Sequence, residues 1–194
     1  GGTGTNDYTL RIYNWDDNTL IDVSSGNKNH GNNLYDVAWS PNGHYLLVGG
    51  ANGTGTCELR LYVWSNETLV ELEDAQKYYV GTLNSVSWNP SGVYFAAAGE
   101  TDSNDYNVRA QRFNDNVLSE MAADNRRFTS NVYSLDWHSQ SNNLAVGGIT
   151  SGTQVSVTSW DGSSFVEIPE TNKDHGGTVN AVAWSPNGTY LAIG

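Results

Sequence analysis

Short apolar stretches with alternating side-chain character recur along the chain, separated by clusters of Gly, Pro and Asn. Alternation of this kind predicts β-strands, and the clusters mark their joints. Each turn of the pattern holds four strands. The first ends on a tryptophan, in Tyr35-Asp-Val-Ala-Trp39, Asn84-Ser-Val-Ser-Trp88, Tyr133-Ser-Leu-Asp-Trp137 and Asn180-Ala-Val-Ala-Trp184. A tight turn follows, Ser40-Pro-Asn-Gly43 in one unit and Ser185-Pro-Asn-Gly188 in another, where Pro presets φ and Gly tolerates positive φ. The second strand is apolar: Tyr45–Gly49, Tyr94–Ala98, Leu144–Gly147 and Tyr190–Gly194. After a long polar loop, the third strand ends on a second aromatic, Trp15, Trp64, Phe113 or Trp160. The fourth reads Thr19–Val23, Thr68–Leu72, Val117–Met121 and Phe165–Ile168.

Trp39, Trp88, Trp137 and Trp184 stand 49, 49 and 47 residues apart, and the third-strand aromatics keep the same intervals. A period in the forties with four short strands marks a β-propeller blade, because one blade cannot bury both its faces without neighbours. The expected fold is all-β: a propeller of four-stranded antiparallel blades, four repeats per chain, in one array over 1–194. Aligning Tyr190–Gly194 on Tyr45–Gly49 places Gly1 opposite Gly50, and the register continues without a gap through Leu10 on Leu59. The termini therefore split one blade. Its strands three and four fall at 1–23, full blades at about 34–72, 83–121 and 132–168, and its strands one and two at 179–194. Blades of this kind close in rings of about seven or eight, so four make half a ring. The edges at Gly194 and Thr9 are complementary, and two copies completing each other's split blade give a two-fold, eight-bladed homo-oligomer. A closed four-bladed monomer and a window of a longer array are the alternatives.

The chain resembles the WD-repeat β-propeller family. The Trp-Ser-Pro-Asn-Gly turns, the apolar strand ending in glycine, and the pairs Trp15-Asp16 and Trp160-Asp161 carry the likeness. The other two units read Trp64-Ser65 and Phe113-Asn114. The family's Gly-His pair before the first strand is reduced to His30 and His175, with Tyr79 and Phe128 near the same place elsewhere. Its strand-two Ser and tight-turn Asp have no clear counterpart, so the hydrogen-bonded His-Ser/Thr-Asp-Trp network associated with the family is expected to be absent. The resemblance implies fold more than activity, since propellers carry many unrelated functions.

Charge narrows the partners. Lys+Arg 9 against Asp+Glu 21 gives a formal net charge of −12, a field that repels phosphate backbones and anionic head groups. Nucleic acid and membrane are not expected partners. No stretch approaches the roughly 18–20 apolar residues of a spanning helix, and no basic-then-apolar leader opens the chain. The chain reads as soluble, with its compartment open. Cys57 is the only cysteine, so no internal disulfide is expected. The sequons at Asn52, Asn66 and Asn187 are what a turn-rich chain full of Asn and Thr produces by chance.

Catalytic constellations are hard to assemble. His30, His44, His138 and His175 lack ligand spacing, and Asp102-Ser-Asn-Asp105 lacks the Gly and distant Glu of a calcium loop. Asp36 and Asp136 fall near the ring axis, but their counterparts include Ser85 and Ala181. Neither enzyme chemistry, a metal nor a cofactor is expected. Arg11, Arg60 and Arg109 share one strand-three column, replaced by Ser156 in the fourth unit, and are expected to pair with nearby acids. The long loops all lie on one rim and vary while the strands do not, which makes that rim the place for a binding surface. Aromatics beside Lys or Arg anchor interfaces, so Tyr78, Tyr79, Arg126, Arg127 and Phe128, with Tyr106 in a neighbouring long loop, are the candidate contacts for a protein or peptide. For Tyr79 and Phe128 the competing expectation is that they fold inward and plug the gap between blades. The predicted function is a non-enzymatic interaction scaffold; the alternative is a lectin-like propeller, which would repeat one aromatic-plus-polar set in every unit.

Overall fold

The computed structural model describes residues 8–51, 58–79, 81–101, 106–121, 125–128, 130–149 and 152–194. Strands β3 (Leu34–Trp39), β4 (Tyr45–Gly50), β5 (Leu59–Ser65) and β6 (Thr68–Glu71) form one antiparallel sheet in chain order. A second sheet holds β7 (Leu83–Trp88), β8 (Tyr94–Gly99), β9 (Val108–Asn114) and β10 (Val117–Glu120). The third holds β11 (Val132–Trp137), β12 (Asn143–Gly148), β13 (Val155–Trp160) and β14 (Phe165–Glu167). Two half-blades flank these: β1 (Tyr13–Asp16) with β2 (Thr19–Asp22), and β15 (Val182–Trp184) with β16 (Leu191–Ile193). The half-blades belong to separate sheets, so the described residues form an open arc.

Local chemistry explains the joints. In three of the four units the third and fourth strands are linked by two-residue turns whose central pairs, Asp17-Asn18, Asn66-Glu67 and Asp115-Asn116, all have positive φ. That backbone twist matches the flanking strands. The glycine closing the second strand answers a close approach: a Cβ on Gly99 would lie 1.9 Å from the Thr82 carbonyl oxygen. There the first strand bulges, with register shifts between Leu34 and Asp36, Leu83 and Ser85, and Val132 and Ser134.

First strands line the inside of the arc and face one another blade to blade. Their polar side chains act as a ladder across each junction. Asp36 Oδ2 accepts from Val86 N at 2.8 Å and from Ser85 Oγ at 2.9 Å, Ser85 Oγ accepts from Leu135 N at 3.0 Å, and Ser134 Oγ from Val182 N at 3.1 Å. Two rungs lower, Ser87 Oγ accepts from Trp137 N and Asp136 Oδ2 from Trp184 N. Around the ladder sits the inter-blade core. Leu47, Leu61, Val86, Trp88, Phe95 and Phe113 fill the junction of the first and second full blades, and Ala96, Leu135, Trp137, Leu144 and Trp160 that of the second and third. The open end breaks this rule. Val37 is 46% exposed, whereas Val86, Leu135 and Val182 in the same column are 3%, 5% and 6% exposed.

Candidate functional site

The rim of long loops is built from a four-fold recurring latch. The residue just before each third strand accepts a hydrogen bond from the backbone N–H 21 residues on: Thr9 Oγ1 from His30 (2.8 Å), Glu58 Oε2 from Tyr79 (2.7 Å), Asn107 Oδ1 from Phe128 (2.7 Å) and Gln154 Oε1 from His175 (2.6 Å). An isolated bridge pins each loop to the same strand, pairing Leu10 with Lys28, Leu59 with Lys77, Val108 with Arg126 and Val155 with Lys173. The latch fixes where the aromatic or histidine ring lies, and the next blade decides what covers it.

In the first two junctions the cover is complete. Arg109 lies over the Tyr79 ring at 5.1 Å, and Gln111 Nε2 donates to the Tyr79 hydroxyl at 2.9 Å. Burial pushes that hydroxyl well above the usual tyrosine range. His30 occupies the corresponding place one blade earlier, close enough for the Arg60 charge to act on it. Burial first, then Arg60, pulls its imidazole down to about 4, and neither ring nitrogen has a hydrogen-bond partner among the described residues. The arginines are held from the side by fourth-strand acids: Arg60 Nη1 lies 3.4 Å from Glu71, and Arg109 pairs with Glu120. An amide five residues beyond each acid supports it, Gln76 on Glu71 at 2.8 Å and Asn125 on Glu120 at 2.8 Å. This is the pairing that the arginine column predicts.

At the third junction the column carries Ser156 and, two residues on, Thr158 where the preceding blades have Tyr62 and Gln111. The shorter side chains leave a cleft of about 260 Å³, lined by Arg126, Arg127, Phe128, Ser156, Thr158 and Glu167 over apolar Val108 and Val146. Arg126 reaches across it, donating from Nη1 to Thr158 Oγ1 at 3.2 Å and meeting Glu167 Oε2 from Nη2 at 3.4 Å. Asn172 Nδ2 donates to the other Glu167 oxygen at 3.1 Å. The cleft thus joins a loop of the second blade to the outer strands of the third.

Arg126, Arg127 and Phe128, three of the sequence-predicted contacts, meet in this cleft. Tyr78 stands one blade back, 69% exposed at the loop position equivalent to Arg127. Tyr79 departs from the contact reading: it is only 8% exposed and plugs the gap beneath Arg109, the inward alternative, because the latch on Glu58 turns its ring toward the core. Tyr106 is half-buried beside Arg109, whose guanidinium lies 5.9 Å from its ring. Ser156, Thr158, Glu167 and Asn172 were not among the predicted contacts. Their signal was the break in the arginine column, which alone reads as a lost ion pair. Among the described residues no group of His, Cys, Asp and Glu is arranged to hold a metal ion, while Asp102–Asp105 and Cys57 lie outside them. Asp36 and Asp136 are engaged in the inter-blade ladder, and no helix of the described residues is long and apolar enough to cross a membrane.

The family description WD domain, G-beta repeat matches residues 23–55 and 168–194. No curated protein sequence matches the chain. Among solved structures, a chain from "Crystal Structure of Mitotic Checkpoint Complex" is similar with a TM-score of 0.67 at 19% identity, over 90% of this chain and 51% of that one. This chain therefore spans about half the length of that solved chain.

Proposed function

We propose that this chain, which matches the WD-repeat family model over residues 23–55 and 168–194, is a non-enzymatic scaffold binding a protein or peptide on its long-loop rim. The observation that carries the reading is the cleft at the third junction, where two arginines and a phenylalanine from a variable loop meet a recess in the next blade. Arginine and aromatic side chains in a recess are the usual anchors of protein interfaces. The solved neighbour, by its title, is part of a protein complex, which favours a protein partner here too. A lectin-like site repeated at each junction is disfavoured, because Arg109 and Tyr79 fill the equivalent space one blade earlier. Affinity capture on the immobilised chain, with bound proteins identified by mass spectrometry, tests the reading. Changing Tyr78, Arg126 and Arg127 together to Ala is expected to remove a defined set of bound proteins while the melting temperature stays nearly constant, since surface changes away from packed features usually stay within about ±0.5 kcal/mol. An unchanged set of captured proteins in the triple variant would sink the rim assignment.

We also propose that a second copy completes the ring. Tyr35, Val37 and Trp39 form an exposed apolar stripe on β3, whereas on β7 and β11 the Val37 and Trp39 columns are buried and the Tyr35 column is half-buried. The internal repeat names the missing cover as a β15–β16 hairpin. By the register of β4 on β5, Leu191, Ala192 and Ile193 of one copy would pair with Tyr13, Ile12 and Arg11 of the other. Burying such a stripe removes both an apolar patch and an open sheet edge.

A further inference from the structure

We infer that the cleft between the second and third blades binds the carboxylate side chain of an aspartate or glutamate in an extended peptide, a ligand class that rests on the scaffold reading above. The cleft exists because one of the three equivalent junctions has lost its own occupant. In the preceding blade Arg109 fills the space, stacked on Tyr79 and paired with Glu120. Here the floor ring is kept as Phe128 and the acid as Glu167, while the strand-three arginine is replaced by Ser156.

The sign of the ligand follows from who already holds Glu167. One of its oxygens meets Arg126 and the other accepts from Asn172. A cation entering the cleft would have to displace Arg126 from that carboxylate, crowding three cationic groups around one acid. An incoming carboxylate meets donors instead. Arg126 has five N–H groups, two of the cleft's contacts use one on Nη1 and one on Nη2, and Ser156 adds a hydroxyl. Arg127 adds a second guanidinium to the lining. Arginine pairs with carboxylates through paired, directional hydrogen bonds, and Val108, Phe128 and Val146 give the cleft an apolar floor for the methylenes of the side chain. The volume of about 260 Å³ lies below the usual range for whole small-molecule ligands, so it suits one side chain with a flanking apolar neighbour. The ligand should carry a single charge, because the −12 chain repels strongly acidic segments at long range.

The test is a titration of the ¹⁵N-labelled chain with three capped tripeptides: acetyl-Leu-Glu-Leu-amide, its Gln counterpart and its Arg counterpart. The Glu peptide is expected to shift the amides of Phe128, Ser156 and Thr158, with the Gln peptide at least tenfold weaker and the Arg peptide inactive there. Ser156→Arg restores the column and fills the space, so it should abolish the response in a chain that still folds. Should that variant fail to fold, Arg127→Gln in the same titration is expected to weaken the Glu peptide at least fivefold. Equal binding of the Gln peptide, preference for the Arg peptide, or an unaltered response in the variants would overturn the inference. If proteins captured by the unaltered chain are lost in the rim triple variant but the Glu peptide does not bind, the ligand class fails and the scaffold reading stands.

Discussion

His30 is held neutral by its surroundings, and that gives the molecule a defined acid sensitivity. Its imidazole titrates at about 4 when folded, against an ordinary value of 6.5. Between those values the unfolded chain takes up a proton that the folded chain refuses. Its contribution to stability is therefore complete above pH 6.5, lost progressively as pH falls toward about 4, and constant below. His30→Phe, which installs the residue type found at position 128, should flatten that part of the profile, read as urea midpoints at pH 7.5 and pH 4.5; an unchanged difference between the two midpoints would contradict the assignment. Trp88 tests the core at the same scale. It is buried, donates its indole N–H to the Ala38 carbonyl at 3.1 Å and meets Phe95 and Phe113 edge-on. Trp88→Ala should cost about 3–5 kcal/mol in chemical denaturation, and a loss below about 1 kcal/mol would show that it does not wedge the blades. Sequence legibility ends between Tyr79 and Phe128. Both sit on the same latch in the same loop, yet one is sealed and the other walls a cleft. The difference lies in Gln111 and Arg109 against Thr158 and Ser156, some 30 residues further along and in the next blade.

At the scale of elements, the strands were readable because side-chain alternation and turn residues agree in every unit. The turns carry a local strain that composition does not announce. Glu67 holds φ at +57°, a left-handed conformation that costs a side chain of this kind roughly 1–2 kcal/mol. Glu67→Gly should offset part of that and stabilise the chain by a few tenths to about 1 kcal/mol, measured by the same denaturation. A destabilised Glu67→Gly would mean its side chain makes a compensating contact. The bulges in β3, β7 and β11 were not legible, because nothing in Tyr35, Asn84 or Tyr133 marks an extra residue. Their trace is the glycine opposite. Gly99→Ala should destabilise by about 1–3 kcal/mol, since the added carbon meets the Thr82 backbone and not a side chain that could turn away. A neutral substitution would show that β7 shifts easily and that the bulge is not a fixed feature.

At the scale of the whole molecule, the repeat count and its register were visible in the spacing of four tryptophans, but spacing alone does not say what closes the arc. Burial does. Trp15 is 63% exposed at the column where Phe113 is 7% and Trp160 2% exposed, and Tyr190 is exposed where Tyr94 packs on Trp160 at 5.3 Å. Both exposed residues lie on half-blades, and their counterparts on full blades are buried or half-buried against a neighbouring blade. We propose that a second copy supplies that strand, so that the latched rim loops sit on a closed scaffold. Light scattering coupled to gel filtration measures this most directly: the account predicts a mass near twice 21.1 kDa, and a stable, folded species at 21.1 kDa across dilution would contradict it.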